Sequence, residues 1–424
     1  MPNASKKIGS PPPRPVLWVM SELYYPEETS TGYYMTRIAE AMTDLFDVKV
    51  ICGQPNYSRR GVRSPKREEK NGVEIFRAAS TRFDKNKIFS RLVNMATLGI
   101  SMFFASIKRL RQGDNVLVVT TPPNLPLIAA VSSLARGAAY TLLIHDNYPE
   151  ILFALGKMRR ASAAARVIAA VNRWIYKHAS RIIVVGRDMA EMALEKSRGL
   201  DIPIITIPNW AETDAISPAP KKDNPLLAEL GLSDKFVVLY AGNIGRPNDV
   251  ESIIECARRL ADVDRIHFIF LGEGAKRHIV ESAVNEEMLP NITVLAPRPR
   301  SEQQIFLNAC DAAIVSLAAG MRGVSVPSRL YNILAAGKPV IGITEPGSEV
   351  SLVIEEEGIG WTVLPGHPSD LAATIMESSL DPARLEQMGN RARRAAVEKY
   401  SLHTAIAQYR SCLAPKMTKG GDVT

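Results

Sequence analysis

Apolar runs of four to eight residues alternate with amphipathic stretches along almost the whole chain. Short runs of Val, Ile and Leu separated by helix-length segments mark buried parallel strands joined by crossover helices. In the first half the runs fall at 16–20, 48–52, 73–77, 116–119, 140–144 and 182–185. In the second they fall at 236–240, 266–271, 292–294, 312–315, 339–343 and 361–364. Pro208-Asn209-Trp210 and the polar, Pro-containing stretch 217–223 interrupt the rhythm between the two sets. The pattern predicts two α/β domains, each a doubly wound parallel sheet, over 16–209 and 234–390, joined by a linker at 210–233. Residues 382–413 read as one long basic helix, and 391–424 as a return to the first domain followed by a tail. The polar, Pro-rich residues 1–15 predict a disordered tail. The stretch 54–70, polar, basic and poor in apolar residues, predicts a mobile loop.

A chain of 424 residues with 46% apolar and 23% charged residues is long enough for two or three globular cores. No uncharged apolar run reaches the roughly 18 residues of a spanning helix, and the start lacks the apolar centre of a signal peptide. Four scattered cysteines, Cys52, Cys256, Cys310 and Cys412, form no CxxC pair or zinc spacing and read as thiols of a reducing compartment. A cytoplasmic location is the expectation. The net charge of +8 is uneven: residues 16–212 hold 27 Lys or Arg against 18 Asp or Glu. Such a basic half suits an anionic surface or a phosphate-bearing ligand. No zinc finger, RNP-like motif or basic–aromatic platform points to nucleic acid. The absence of GxGxxG in the first βα unit and of GxxxxGK[ST] speaks against a nicotinamide enzyme or a P-loop kinase.

Candidate chemistry collects at predicted strand ends. Val326-Pro327-Ser328-Arg329 enters a short helix that Gly337-Lys338-Pro339 closes, and a Ser cap followed by Arg makes an anion-friendly helix start. Gly242-Asn243-Ile244-Gly245-Arg246 follows the first strand of the second domain, where glycines admit close backbone approach and Arg can fork onto a diphosphate. Gly272 ends the next strand and Arg298 the one after. Four such loops on one domain point to a nucleoside diphosphate at the strand carboxyl ends. In the first domain His145, Asp146 and Glu150 follow a strand, where an imidazole and two carboxylates can serve acid–base chemistry; a polar loop with Asp146 as a cap is the plain alternative. Thr31 and Gly32 offer backbone to an acceptor at a second loop. Asp262-Val263-Asp264 spells DxD, but its place between a helix and a strand start reads as a solvated loop. The stretch 88–111 joins Phe103 and Phe104 to Lys108-Arg109-Leu110-Arg111, which fits either a helix on an anionic membrane or a buried crossover helix.

These motifs resemble those of the retaining GT-B glycosyltransferases of family 4, in the capsule, colanic-acid and O-antigen branch. The carriers are 240–246, 271–274, 326–341, Tyr25-Pro26-Glu27 and Asp146-Asn147-Tyr148-Pro149-Glu150, and the resemblance covers about residues 16–413. It implies two Rossmann-like domains facing a cleft, an acceptor on the first and a UDP- or GDP-sugar on the second. It further implies no metal or other cofactor. Arg246 and Arg329 would hold the diphosphate with Gly242, Gly245 and Ser328 offering backbone, Arg298 would lie by the base, and His145 and Asp146 would face the transferred sugar. The family's Glu-x7-Glu falls here on Val324 and Asn332, leaving Asn332 to bond the ribose; Asn248 stands where other members place a phosphate-binding Lys. The expected activity is transfer of one sugar to a lipid-linked saccharide for a surface polysaccharide, at an anionic membrane surface. A nucleotide-sugar epimerase of the same architecture and a non-catalytic membrane-bound fold-mate are the alternatives.

Overall fold

The computed structural model describes residues 14–55, 63–81, 83, 88–286 and 288–414. Most of the expected N-terminal tail, the end of the C-terminal tail and the centre of the 54–70 stretch lie outside them. The first sheet joins β1 (Val16–Ser21), β2 (Asp47–Cys52), β3 (Arg67–Lys70), β4 (Val73–Arg77), β5 (Asn115–Val119), β6 (Ala139–Ile144), β7 (Arg181–Val184) and β8 (Ile204–Thr206). Its spatial order is β3-β4-β2-β1-β5-β6-β7-β8. The second joins β9 (Phe236–Ala241), β10 (Ile266–Leu271), β11 (Ile292–Leu295), β12 (Ala312–Ser316), β13 (Val340–Ile343) and β14 (Gly360–Val363) in the order β11-β10-β9-β12-β13-β14. Every strand pair is parallel except β3 with β4. This is the GT-B arrangement of two parallel-sheet domains.

Crossovers in the first domain are α1 (Ser30–Ala41), α2 (Ile88–Arg109), α3 (Leu125–Arg136), α4 (Glu150–Ala154), α5 (Ala163–His178) and α6 (Arg187–Lys196). The second has α7 (Pro225–Leu230), α8 (Val250–Arg259), α9 (Arg277–Asn285), α10 (Gln303–Leu307), α11 (Arg329–Ala335), α12 (Glu349–Glu357), α13 (Pro368–Ser378), α14 (Pro382–Glu398) and α15 (Leu402–Leu413). Strand alternation sends Val237 and Leu239 into a core continuous with the first domain, and Val238 and Tyr240 into a second core on the other side of the sheet. Trp210 anchors the crossing: it is wholly buried, edge-on to Tyr34 with centroids 4.4 Å apart. A buried indole of this kind is worth about 3–5 kcal/mol.

Two readings of the sequence change, and to a third, left open between two alternatives, the structure adds detail. The loop expected at 54–70 contains β3, hidden because Arg67-Glu68-Glu69-Lys70 has no apolar period. Asn71 (φ 51°) and Gly72 (φ 77°) form the left-handed turn that pairs it with β4. Its charges, including ion pairs of Arg67 with Glu74 and Glu68 with Arg77, guard the sheet edge. The single helix expected at 382–413 is two. α14 packs on α11 and α12, and Ser401, whose Oγ accepts from Thr404 N–H, starts α15 against α1. Arg410 then reaches Ala41 O and Asp44. Finally, α2 over Phe89–Arg109 is long and apolar enough to cross a membrane by length and composition, yet it lies along the sheet with Leu98 and Met102 buried.

Candidate active site

The loops at the carboxyl ends of β1, β6 and β12 meet between the domains. Asp146 forms an isolated antiparallel bridge with Ser325, and Asn147 N–H donates to Val324 O at 2.8 Å. Asn147 Nδ2 donates to Gly323 O at 2.7 Å, and Gly323 N–H in turn donates to Asp188 Oδ2 at 2.8 Å. Ser328 Oγ donates to Ser30 Oγ at 3.1 Å. So the loop that carries Arg329 is fastened to the strand end that carries His145.

On the second domain the glycine loops nest backbone on backbone. A Cβ on Gly272 would stand 1.8 Å from Gly242 O, and one on Gly274 would stand 2.3 Å from Ile244 O. Both have φ near +150°, where side chains are rarely tolerated. A Cβ on Gly245 would stand 2.6 Å from the Asn243 amide. Arg329 lies over this floor, its guanidinium carbon 4.8 Å from the Tyr240 ring centroid and 3.3 Å from where a Gly242 Cβ would be. Its Nη2 reaches Asn248 Oδ1 at 3.3 Å, and buried Asn248 donates from Nδ2 to Asn243 O at 3.0 Å. Lys276 Nζ donates to Asn248 O at 2.7 Å and pairs with Glu251, placing an ammonium behind the loop. Arg246 is exposed at the end of the same loop. A guanidinium above glycine backbone, with a second exposed at the end of the same loop, can neutralise a diphosphate.

On the first domain Thr120 Oγ1 accepts from both His145 N–H (3.1 Å) and Asp146 N–H (3.2 Å), fixing the strand end. His145 Nε2 is buried with no hydrogen-bond partner, and burial pushes the imidazole down to about 4. It is therefore neutral at pH 7 and can donate or accept. Burial pushes the Asp146 carboxyl up to about 6. Gly32 opens α1 where a Cβ would meet Glu27 O at 2.8 Å, with Thr31 half-buried beside it.

Several predicted site residues have other occupations. Ser328 precedes α11 in already helical backbone (φ −62°, ψ −18°), so its hydroxyl caps nothing and turns to Ser30. Asn332 is buried; its Oδ1 accepts from Glu212 N–H at 3.0 Å and its Nδ2 donates to Gln303 Oε1 at 3.0 Å, so both amide atoms already carry a bond within the fold. Glu150 is held by Lys196 Nζ at 2.7 Å, an ion pair on the side of the first domain's α4. Arg298 is tied to Glu302 at 3.0 Å. Asp264 of the DxD stretch pairs with Lys235 at the amino end of β10, away from the cleft.

The sequence reading gave no role to Asn147 or Arg300, and of Asn248 it noted only that it stands where other members place a phosphate-binding Lys. Arg300 stacks 3.9 Å from the Tyr33 ring centroid, with Nη2 buried, 3.9 Å from Glu212 and without a hydrogen bond. The doubled Pro-Arg of 297–300 was its one sequence signal. Asn147 has none, since only the fold brings Gly323 to it.

With this geometry in view, comparison with known proteins is specific. Residues 226–395 match the family described as Glycosyl transferases group 1, and residues 30–210 match the Glycosyl transferase 4-like domain. The chain is 32% identical over 408 residues to the probable glycosyltransferase WbjE of Pseudomonas aeruginosa, covering 95% of this chain and 98% of that one. It is 26% identical over 376 residues, 85% of this chain and 91% of the other, to a protein named for colanic acid biosynthesis, the glycosyl transferase WcaI of Escherichia coli K12. Among solved structures, Anabaena HepE in complex with UDP-glucose superposes with a TM-score of 0.68 at 15% identity, covering 94% of this chain and 99% of that one.

Proposed function

The chain belongs to the group 1 glycosyl transferases, and we propose that it is a retaining, metal-independent enzyme of surface-polysaccharide biosynthesis. It moves a hexose from a UDP- or GDP-sugar to a lipid-linked saccharide. The observation that carries this reading is the fastening of 323–325, four residues from Arg329, onto Asp146-Asn147. It draws a diphosphate-type floor and a neutral imidazole with an unpartnered Nε2 to one cleft. The acceptor hydroxyl approaches the anomeric carbon on the face from which the diphosphate departs. The new C–O bond forms as the carbon–phosphate-oxygen bond breaks, and the hydroxyl proton passes to the departing phosphate oxygen. Arg329 and Arg246 take up the charge on that leaving group, in the role a divalent ion fills elsewhere. His145 hydrogen-bonds the sugar, and Asp146 faces its developing positive charge. The engagement of Glu150 by Lys196 favours transfer over an epimerase, which needs paired carboxylates. HepE, a neighbour of the same fold, holds UDP-glucose, which lends support to the UDP-sugar choice.

The reading includes docking on an anionic membrane. α2, α3 and α5 lie side by side on one face of the first sheet. They carry most of the large apolar side chains the described residues expose: Phe89 (76%), Phe104 (66%) and Ile100 on α2, Val131 and Leu134 on α3, Val167 and Trp174 on α5. The basic cluster differs from expectation. Arg109 lies over the Phe76 ring at 4.4 Å and Arg111 folds onto the last carbonyls of α2, leaving Lys108 outward. Phe103 is half-buried against Phe104.

The test is incubation of the purified protein with a panel of UDP- and GDP-sugars and membrane extract, with the anomeric configuration of the product read by NMR. An axially linked product from an axially linked donor is expected. Inverted configuration, or no transfer and no donor hydrolysis across the panel, would overturn the reading.

A further inference from the structure

Beside the cleft, a groove of about 470 Å3 opens between α4 and α5. Arg166 and Arg173, seven residues apart on one face of α5, stand on one wall with Ala169 and Ala170 between them. Phe153 and Glu150 of α4 form the other, and Arg160 and Lys196 complete the lining. The alanines leave open the space a larger side chain would fill.

The charge of this groove is unbalanced. Its one carboxylate, Glu150, is already paired with Lys196, whose Nζ also donates to Tyr148 O at 2.8 Å. Among the described residues, Arg160, Arg166 and Arg173 meet no carboxylate. Arg160 is held over the Phe153 ring at 5.0 Å and Arg173 donates to Arg198 O at 3.0 Å, so two of the three guanidiniums are steadied from behind. Three like charges around one hollow repel each other until an anion enters. A planar guanidinium fork suits phosphate oxygens in pairs.

Position narrows the anion. Pro149 and Glu150 lie two and three residues after Asn147, so the groove starts where the first domain is fastened to the loop leading to Arg329. On its other side α5 turns Val167 and Trp174 outward into the exposed apolar face. A molecule with an apolar tail, a diphosphate and a saccharide, in that order, meets an apolar face, a basic groove and the cleft in that order. We propose that the α4–α5 groove binds the diphosphate through which a lipid carrier holds the acceptor saccharide. This rests on the lipid-linked acceptor read above and names the part of the protein that recognises the link.

The experiment titrates the full-length protein calorimetrically with farnesyl diphosphate, with inorganic pyrophosphate and with phosphatidylglycerol vesicles. UDP and GDP are present throughout to fill the donor cleft. Farnesyl diphosphate is expected to bind more tightly than pyrophosphate. Arg160→Gln with Arg166→Gln should weaken it by about tenfold or more, the scale of a lost charge-assisted phosphate contact. The melting temperature and UDP affinity should be unchanged, and Arg166→Lys should lose less than Arg166→Gln. The proposal is overturned if farnesyl diphosphate does not bind, if the glutamine variant binds it equally, or if pyrophosphate alone binds as tightly. Binding of the vesicles through the same arginines, without farnesyl diphosphate binding, would also overturn it. A protein that binds farnesyl diphosphate here but no nucleotide sugar would instead count against the transferase reading.

Discussion

Arg329→Ala separates a binding role from a folding role, because the structure assigns very different magnitudes to the two. Within the fold the guanidinium makes only long contacts, 3.5 Å to Ala241 O, 3.5 Å to Asn243 O and 3.3 Å to Asn248 Oδ1, at the far edge of hydrogen bonding. Its stacking on Tyr240 adds about 0.5–1 kcal/mol at a partly exposed site. Removing it should therefore cost about 1 kcal/mol of stability, a shift of about 2 °C in a chain of this size. Toward a diphosphate the same group would make two charge-assisted bonds of about 1.5–3 kcal/mol each. Losing them should weaken nucleotide diphosphate binding by about 3 kcal/mol, roughly a hundredfold in Kd. Calorimetric titration with UDP and GDP, run beside thermal unfolding, measures both. Arg329→Lys should recover part of the affinity, since it restores the charge but not the fork. Unchanged affinity in Arg329→Ala would refute the assignment, as would a loss of stability large enough to account for the loss of binding.

Gly272→Ala should destabilise the second domain by about 3 kcal/mol or more, because its Cβ would collide with Gly242 O at 1.8 Å. Gly366→Ala, with φ +79° but open space around it, should cost only about 1 kcal/mol; equal melting temperatures would refute this contrast. Asp146, whose folded value is raised from 3.8 to about 6, costs stability progressively as pH rises through that window. Asp146→Asn should therefore be more stable than the parent at pH 8, by up to about 3 kcal/mol, with the gain gone below pH 4 and turnover lost at every pH. His145 has the opposite sign: its lowered value withdraws stability as pH falls from 6.5 through about 4, so His145→Ala should flatten acid unfolding while cutting turnover. Sugar transfer should survive thorough chelation, and its abolition with recovery on adding magnesium or manganese would overturn the arginine-based account.

The sheets were legible because buried parallel strands read as continuous apolar runs, and every predicted run lies in or overlaps an observed strand. The two strands that were passed over lack that signal. β3 is an edge built of charges, and β8 is three half-buried residues, Ile204–Thr206. The strand-end loops were legible too, because a glycine or arginine directly after an apolar run has few other reasons to be there. What the sequence did not carry is which polar groups are already spoken for. Asn332 looks like a ribose ligand by position, but the Glu212 N–H, 120 residues away in sequence, already bonds its Oδ1. Glu150 looks like half of an acid–base pair until Lys196 reaches it.

The same fact, that partners come from far along the chain, bears on why the proposed reacting group and the proposed charge sink sit on different domains. A neutral imidazole needs a dry, low-dielectric strand end, and burial at β6 supplies it. Guanidiniums kept free for an anion need an open floor, which the glycine loops after β9 and β10 provide, with Glu273 of the second loop lying 3.9 Å from Arg277. Placing both within one sheet's loops would pair His145 with the arginines' field and hydrate it, or bury the arginines at prohibitive desolvation cost. Division between two sheets avoids that conflict, and the tie from the Asn147 backbone and side chain to Val324 and Gly323 brings the two environments together. The tie is made of three hydrogen bonds counting that of Gly323 to Asp188, with no side chain of the proposed chemistry spent on it. In the proposed reading, catalytic alignment and domain contact are thereby separable: Asn147 makes the tie, and His145 and Arg329 are left for the donor.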